Sequence, residues 1–109
     1  MAYQQGAIVV AEDPFGNTPN RPYLLLSNDH HPFFGQEYIA VVITTTERTE
    51  AIELTANRFE AGQLPRASYV SPWSVLTLKQ WMVTKQPAKA TTATVDDVRQ
   101  ETETYLQTA

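Results

Sequence analysis

The apolar residues of this chain come in short runs broken by turn-forming residues, the pattern of an all-β protein. Ala7-Ile8-Val9-Val10-Ala11 is too short for a helix and rich in β-branched side chains, and predicts a first strand. Glu12 to Asn20 is dense in Pro, Gly and Asn and reads as a loop. Arg21 to Ser27 predicts a second strand, with Pro22 near its start, where a missing backbone donor is tolerated. Asn28 to Pro32 is a turn, and Tyr38 to Thr44 a strongly apolar third strand. Ala51 to Leu54 alternates weakly, as a fourth strand would. Asn57 to Arg66 is polar, has Gly62 and Pro65 as breakers, and is expected to be irregular. Ser68 to Pro72 and Trp73 to Leu78 read as paired or continuous strands, and Met82 to Lys85 as one more.

The end of the chain changes period. Val95, Val98, Thr102, Tyr105 and Leu106 fall on one helical face. Thr94 with Asp97 three residues later resembles a capping box, and Asp96 and Asp97 in a first turn suit the helix dipole. Short strands at this spacing followed by one helix predict a mostly β fold, a small barrel or sandwich with a C-terminal helix packed across it.

Composition narrows the class. A chain of 109 residues with 42% hydrophobic and 18% charged residues is expected to form one ordinary globular domain. No apolar stretch approaches the roughly 20 residues of a membrane helix. The first residues, Met1 to Gly6, lack the basic and apolar regions of a secretory signal, so a cytoplasmic location is expected. With no cysteine, disulfides, zinc-thiolate sites and cysteine nucleophiles are excluded together. A net charge of −4 argues against a broad non-specific nucleic-acid surface but leaves room for a local basic groove.

Two segments carry the candidate chemistry. Arg21 opens an apolar strand, and Ile43-Thr44-Thr45-Thr46-Glu47-Arg48 ends one in hydroxyls and a second arginine. A cation and a hydroxyl where strands emerge from a sheet can hold a phosphodiester without a metal. Each residue also has a plain structural reading. Arg21 can pair with Asp13 or Glu12 at a strand end, and the threonines can be simple β-formers.

Taken in order, the motifs resemble the MazF/PemK (Kid) family of toxin–antitoxin toxins, which shares its fold with the gyrase poison CcdB. The matching pieces are Gly6-Ala7-Ile8-Val9, Asp13-Pro14, Arg21 to Asp29, Val42-Ile43-Thr44-Thr45, Gly62 to Val70 and Leu76-Thr77-Leu78. The resemblance implies an SH3-like barrel acting as a homodimer, cutting single-stranded RNA with no metal or other cofactor and held in check by an antitoxin. It implies catalytic roles for Arg21 and Thr44. The chain departs from the family at Val42, where a proline is usual, and at Ser71 and Trp73, where some members carry an arginine and an aspartate.

The acid–base pair is therefore unassigned. His31 is the first candidate, because 2′-hydroxyl attack needs a base near neutral pH and Phe33 and Phe34 follow it. His30 and His31 read equally as solvated or capping residues of a turn. Phe33 can stack a base, while Arg48, Arg66 and Asn20 can contact RNA along a groove. By register Thr44 is the favoured hydroxyl, with Thr45 on the opposite face if the strand continues. Trp73 and Trp81 read as core or dimer-interface residues. The second reading is a non-enzymatic SH3-like interaction module, such as a CcdB-like gyrase inhibitor or a degraded toxin.

Overall fold

The computed structural model describes residues 2–13, 16 and 20–108. Its elements run β1 (Ala7–Ala11), β2 (Arg21–Leu25), β3 (Glu37–Thr44), β4 (Ile52–Glu53), β5 (Phe59–Gly62), β6 (Tyr69–Lys79), β7 (Val83–Ala90) and α1 (Thr92–Leu106). The strands form one antiparallel sheet in the order β4-β6-β3-β2-β1-β7-β5, curled into a half-barrel with α1 laid against it. Among the described residues no helix is long and apolar enough to cross a membrane.

Alternation along the strands builds a core on each face. Ile8, Leu24, Val41, Ile43 and Val70 share one face with Val95 and Val98 of α1. Val9, Tyr23, Leu25, Tyr38, Ala40 and Leu78 fill the other, with Met82. Most of these side chains are fully buried, each stabilising the fold by about 1.5–3 kcal/mol.

The first four strands lie where the apolar pattern puts them. The third and fourth quarters of the chain need correction. Asn57 to Arg66 is not wholly irregular: a 3-10 turn at Ala56–Arg58 leads into β5, whose residues are mostly exposed at the sheet edge and so show no apolar alternation. β7 extends well beyond Lys85 and contains Pro87. A proline is tolerated there because β1 and β7 slip register, with Ile8 opposite Ala88 but Val10 opposite Lys85, so Gln86 and Pro87 form a bulge. β6 is continuous but bulged. Val41 faces Val75 while Val42 faces Ser71, so Pro72, Trp73 and Ser74 loop out of the β3 ladder.

The helix begins earlier than its sequence pattern indicates. Thr91, not Thr94, is the N-cap, and its Oγ1 accepts the Thr94 N–H at 3.1 Å. Asp96 and Asp97 consequently sit beyond the first turn, where Asp97 pairs with Arg58 at 3.1 Å. Val95, Val98 and Thr102 are buried as their spacing requires, and the Thr102 hydroxyl donates to the Pro72 carbonyl at 2.7 Å. Tyr105 and Leu106, expected on that face, are 48% and 73% exposed, with the Tyr105 ring against Trp73 of β6. Trp73 and Trp81 are not core residues either: they are 38% and 74% exposed. Pro14, Phe15 and residues 17–19, most of the expected first loop, lie outside the described residues.

Candidate functional site

β2 and β3 form an antiparallel hairpin with Tyr23 opposite Val42, Leu24 opposite Val41 and Leu25 opposite Ala40. Continuing that register sets Arg21, the first residue of β2, opposite Thr44, the last of β3. Both occupy the open end of the hairpin, about 5 Å apart across adjacent strands. A guanidinium N–H of Arg21 reaches the Ile43 carbonyl at 3.4 Å, and the guanidinium carbon lies 6.0 Å from the Tyr23 ring centroid. The Thr44 Oγ1 accepts the Thr46 N–H at 3.1 Å, which ends the strand and leaves its own hydroxyl proton free to donate.

The Arg21 Nε and the Tyr23 hydroxyl are both buried without a hydrogen-bond partner among the described residues. Burial, with the charge of Asp13 added, pushes the Tyr23 phenol up to about 12, and the Arg21 cation pulls the other way. The phenol therefore stays protonated, so the site offers donors that point to an anion.

A groove runs along the strand ends in two adjoining hollows of about 250 and 340 Å³. Asn20, Arg21, Pro22, Thr45, Arg66 and Ser68 line both hollows; Thr44 lines one, and Lys85 with Leu64, Pro65 and Pro87 the other. Three cations surround a floor that is largely proline and leucine, and no carboxylate is among the lining residues. Such a groove accepts a ligand that is anionic at one end and flat and apolar at the other. A chain of net charge −4 thus still carries a local basic groove.

The structure brings Arg21, Thr44, Asn20 and Arg66 together and places the other sequence candidates elsewhere. His31 sits at the closed end of the β2–β3 hairpin, where its Nδ1 accepts the Phe33 N–H at 3.0 Å and its ring meets the Phe33 ring edge-on at 6.3 Å. At about 3.3 Å per residue, the length of β3 separates that turn from Thr44. Phe33 is exposed in the same turn. Arg48 borders a shallow depression with Glu50, Trp73 and Tyr105.

Sequence reasoning set Thr45 on the opposite face and passed over Ser68, Lys85 and Tyr69. Thr45 does reach the groove, because β3 stops at Thr44 and the chain turns. Tyr69, opposite Thr44 on β6, is half-buried. Burial raises its phenol above the ordinary value, and the charges of Glu47 and Glu53 raise it further. Only the register of β6 could have revealed it, and the bulge at Pro72–Ser74 conceals that register.

No protein-family model matches the chain, and no curated protein matches it. Solved structures do. An endoribonuclease in complex with its cognate antitoxin from a Mycobacterial species superposes with a TM-score of 0.73 at 20% identity, covering 96% of this chain and 93% of that one. A MazE–MazF complex from Deinococcus radiodurans gives 0.74 at 18%, covering 100% and 99%. The Mycobacterium tuberculosis toxin MazF-mt6 gives 0.71 at 18%, covering 92% and 95%. From first strand to terminal helix, this chain has the fold of the MazF toxins.

Proposed function

We propose that the chain is a metal-independent endoribonuclease toxin that cleaves single-stranded RNA, acts in the cytoplasm and is neutralised by a cognate antitoxin. One observation carries this reading: Arg21 and Thr44, at the ends of β2 and β3, line one groove that has three cations and no carboxylate among its described lining residues, in a fold shared with proteins described as endoribonucleases. The 2′-hydroxyl of an unpaired nucleotide attacks the adjacent phosphorus, giving a 2′,3′-cyclic phosphate and a 5′-hydroxyl end. The Arg21 guanidinium binds the non-bridging oxygens and stabilises the charge that grows on them in the phosphorane. Thr44 donates its hydroxyl to the same group and fixes its position. Arg66 and Lys85 hold neighbouring phosphates, and the proline-rich floor accepts a base.

The antitoxin reading is supported by the neighbours, which include toxins solved with their cognate antitoxins. An acidic, extended antitoxin segment fits the same basic groove. A homodimer is supported by the exposed aromatic pair Trp73 and Tyr105, whose rings meet edge-on at 6.3 Å beside exposed Val75 and Leu106.

The test is direct. Purified protein is incubated with single-stranded RNA in excess EDTA, alongside Arg21→Ala. The wild-type chain cuts, and the variant is slower by about 10²–10³-fold with an unchanged circular dichroism spectrum. Equal cutting by the two proteins removes Arg21 from the mechanism.

A further inference from the structure

Arg21 and Thr44 handle the charge of the reaction but do not supply the proton that the departing 5′-oxygen requires. The following inference rests on the endoribonuclease reading. Thr44 faces Tyr69 across the β3–β6 ladder, and Tyr69 faces Glu53 across the β6–β4 ladder. With the β2–β3 register continued to Arg21, one cross-strand row runs Arg21, Thr44, Tyr69, Glu53. Directly opposed residues project to the same face of a sheet. Strands are about 4.8 Å apart, so the row sets a tyrosine roughly 5 Å from Thr44 and roughly 10 Å from Arg21.

Each member of the row can be asked for a proton. Arg21 holds its protons too tightly to give one up, an aliphatic hydroxyl such as that of Thr44 is a far weaker acid than a phenol, and Glu53 as a carboxylate is an acceptor only. His31 lies at the other end of the hairpin. The phenol of Tyr69 is the one group in the row that is neutral at pH 7, able to donate and acidic enough to do so. We propose that Tyr69 is the general acid of the cleavage, with the leaving nucleotide passing out over β6 while the attacking nucleotide occupies the groove.

The 2′-oxygen–phosphorus bond forms and its proton passes to water; the phosphorus–5′-oxygen bond breaks and that oxygen takes the Tyr69 phenolic proton. The phenolate is then reprotonated from water. Tyr69 lies outside the groove lining, as a contact to the departing rather than the retained nucleotide requires.

The wild-type cut site is mapped first on single-stranded RNA. Two oligoribonucleotides spanning it are then compared, one with the natural linkage and one with sulfur replacing the bridging 5′-oxygen. A thiolate leaves without protonation, so it needs no acid. Tyr69→Phe is expected to cut the natural linkage about 10²-fold more slowly than wild type and the sulfur-bridged one within a few-fold of it. The ratio of two rates in one preparation does not depend on how much of the variant is folded. Equal slowing on both substrates, the outcome for a stacking or structural tyrosine, overturns the assignment, as does no slowing on either. Failure of the wild-type chain to cut either RNA overturns the endoribonuclease reading itself, an outcome distinct from the other two.

Discussion

At the scale of single residues, the site is defined as much by Tyr23 as by Arg21. Its ring lies beneath the guanidinium and its hydroxyl is buried with no hydrogen-bond partner among the described residues. A phenol raised to about 12 in the fold and near 10 in the unfolded chain favours the folded state fully below pH 10. Between pH 10 and 12 the unfolded chain ionises first, and that contribution is lost. Urea unfolding across this range should show wild-type stability falling by about 2–3 kcal/mol more than that of Tyr23→Phe. A parallel fall in both proteins would show that other groups govern the alkaline limit. Arg21 and Thr44 were legible in the sequence because each sits at an abrupt apolar-to-polar boundary. Tyr23 was not, since an aromatic within an apolar run reads only as core. Tyr69 was hidden for another reason: its meaning lies in which residues it faces, and pairing is not written in local pattern.

At the scale of elements, β5 shows what periodicity misses. It is an exposed edge strand, and its pairing with β7 is displaced between Phe59 and Ala61. Gly62 ends it at φ +67°, and a Cβ there would lie 2.2 Å from the Pro87 carbonyl oxygen. Only glycine allows this approach, which carries the chain on to Leu64, Pro65 and Arg66 at the groove. Gly62→Ala is therefore expected to lower stability by about 3 kcal/mol. Thermal unfolding measures this, and a change below 0.5 kcal/mol would mean that β5 moves freely away from β7. The sequence marked Gly62 as a breaker, and it breaks a strand rather than a loop. The helix was legible in its buried stripe, Val95 to Thr102, and in its extent to Leu106, but misjudged at its start and in the burial of Tyr105 and Leu106. Its cap lies in a run of threonines where several positions satisfy the same rule, and its last two residues are exposed.

At the scale of the whole molecule, a mostly β chain with a terminal helix was readable from apolar spacing, whereas the strand order was not. The order pairs the first strand with the last, a non-local pairing that no window of sequence contains. The surface carries its own prediction. Exposed Trp73, Val75 and Leu106 give the apolar centre that a dimer interface needs. Sedimentation equilibrium should show a dimer for the wild-type chain and a predominantly monomeric Trp73→Asp; a monomeric wild type at micromolar concentration would refute the assembly.

Trp73 owes its exposure to the bulge in β6, and that bulge has a wider consequence. On one side of it Tyr69, Val70 and Ser71 match Thr44, Ile43 and Val42; on the other, Val75 to Lys79 match Val41 to Glu37. A one-residue slip in an uninterrupted ladder turns every side chain to the wrong face. Three looped-out residues between the two halves absorb a change of length before it spreads. The strand is two registers with an expansion joint between them, so a change of length on the Val75–Lys79 side leaves the alignment of Tyr69 with Thr44 intact.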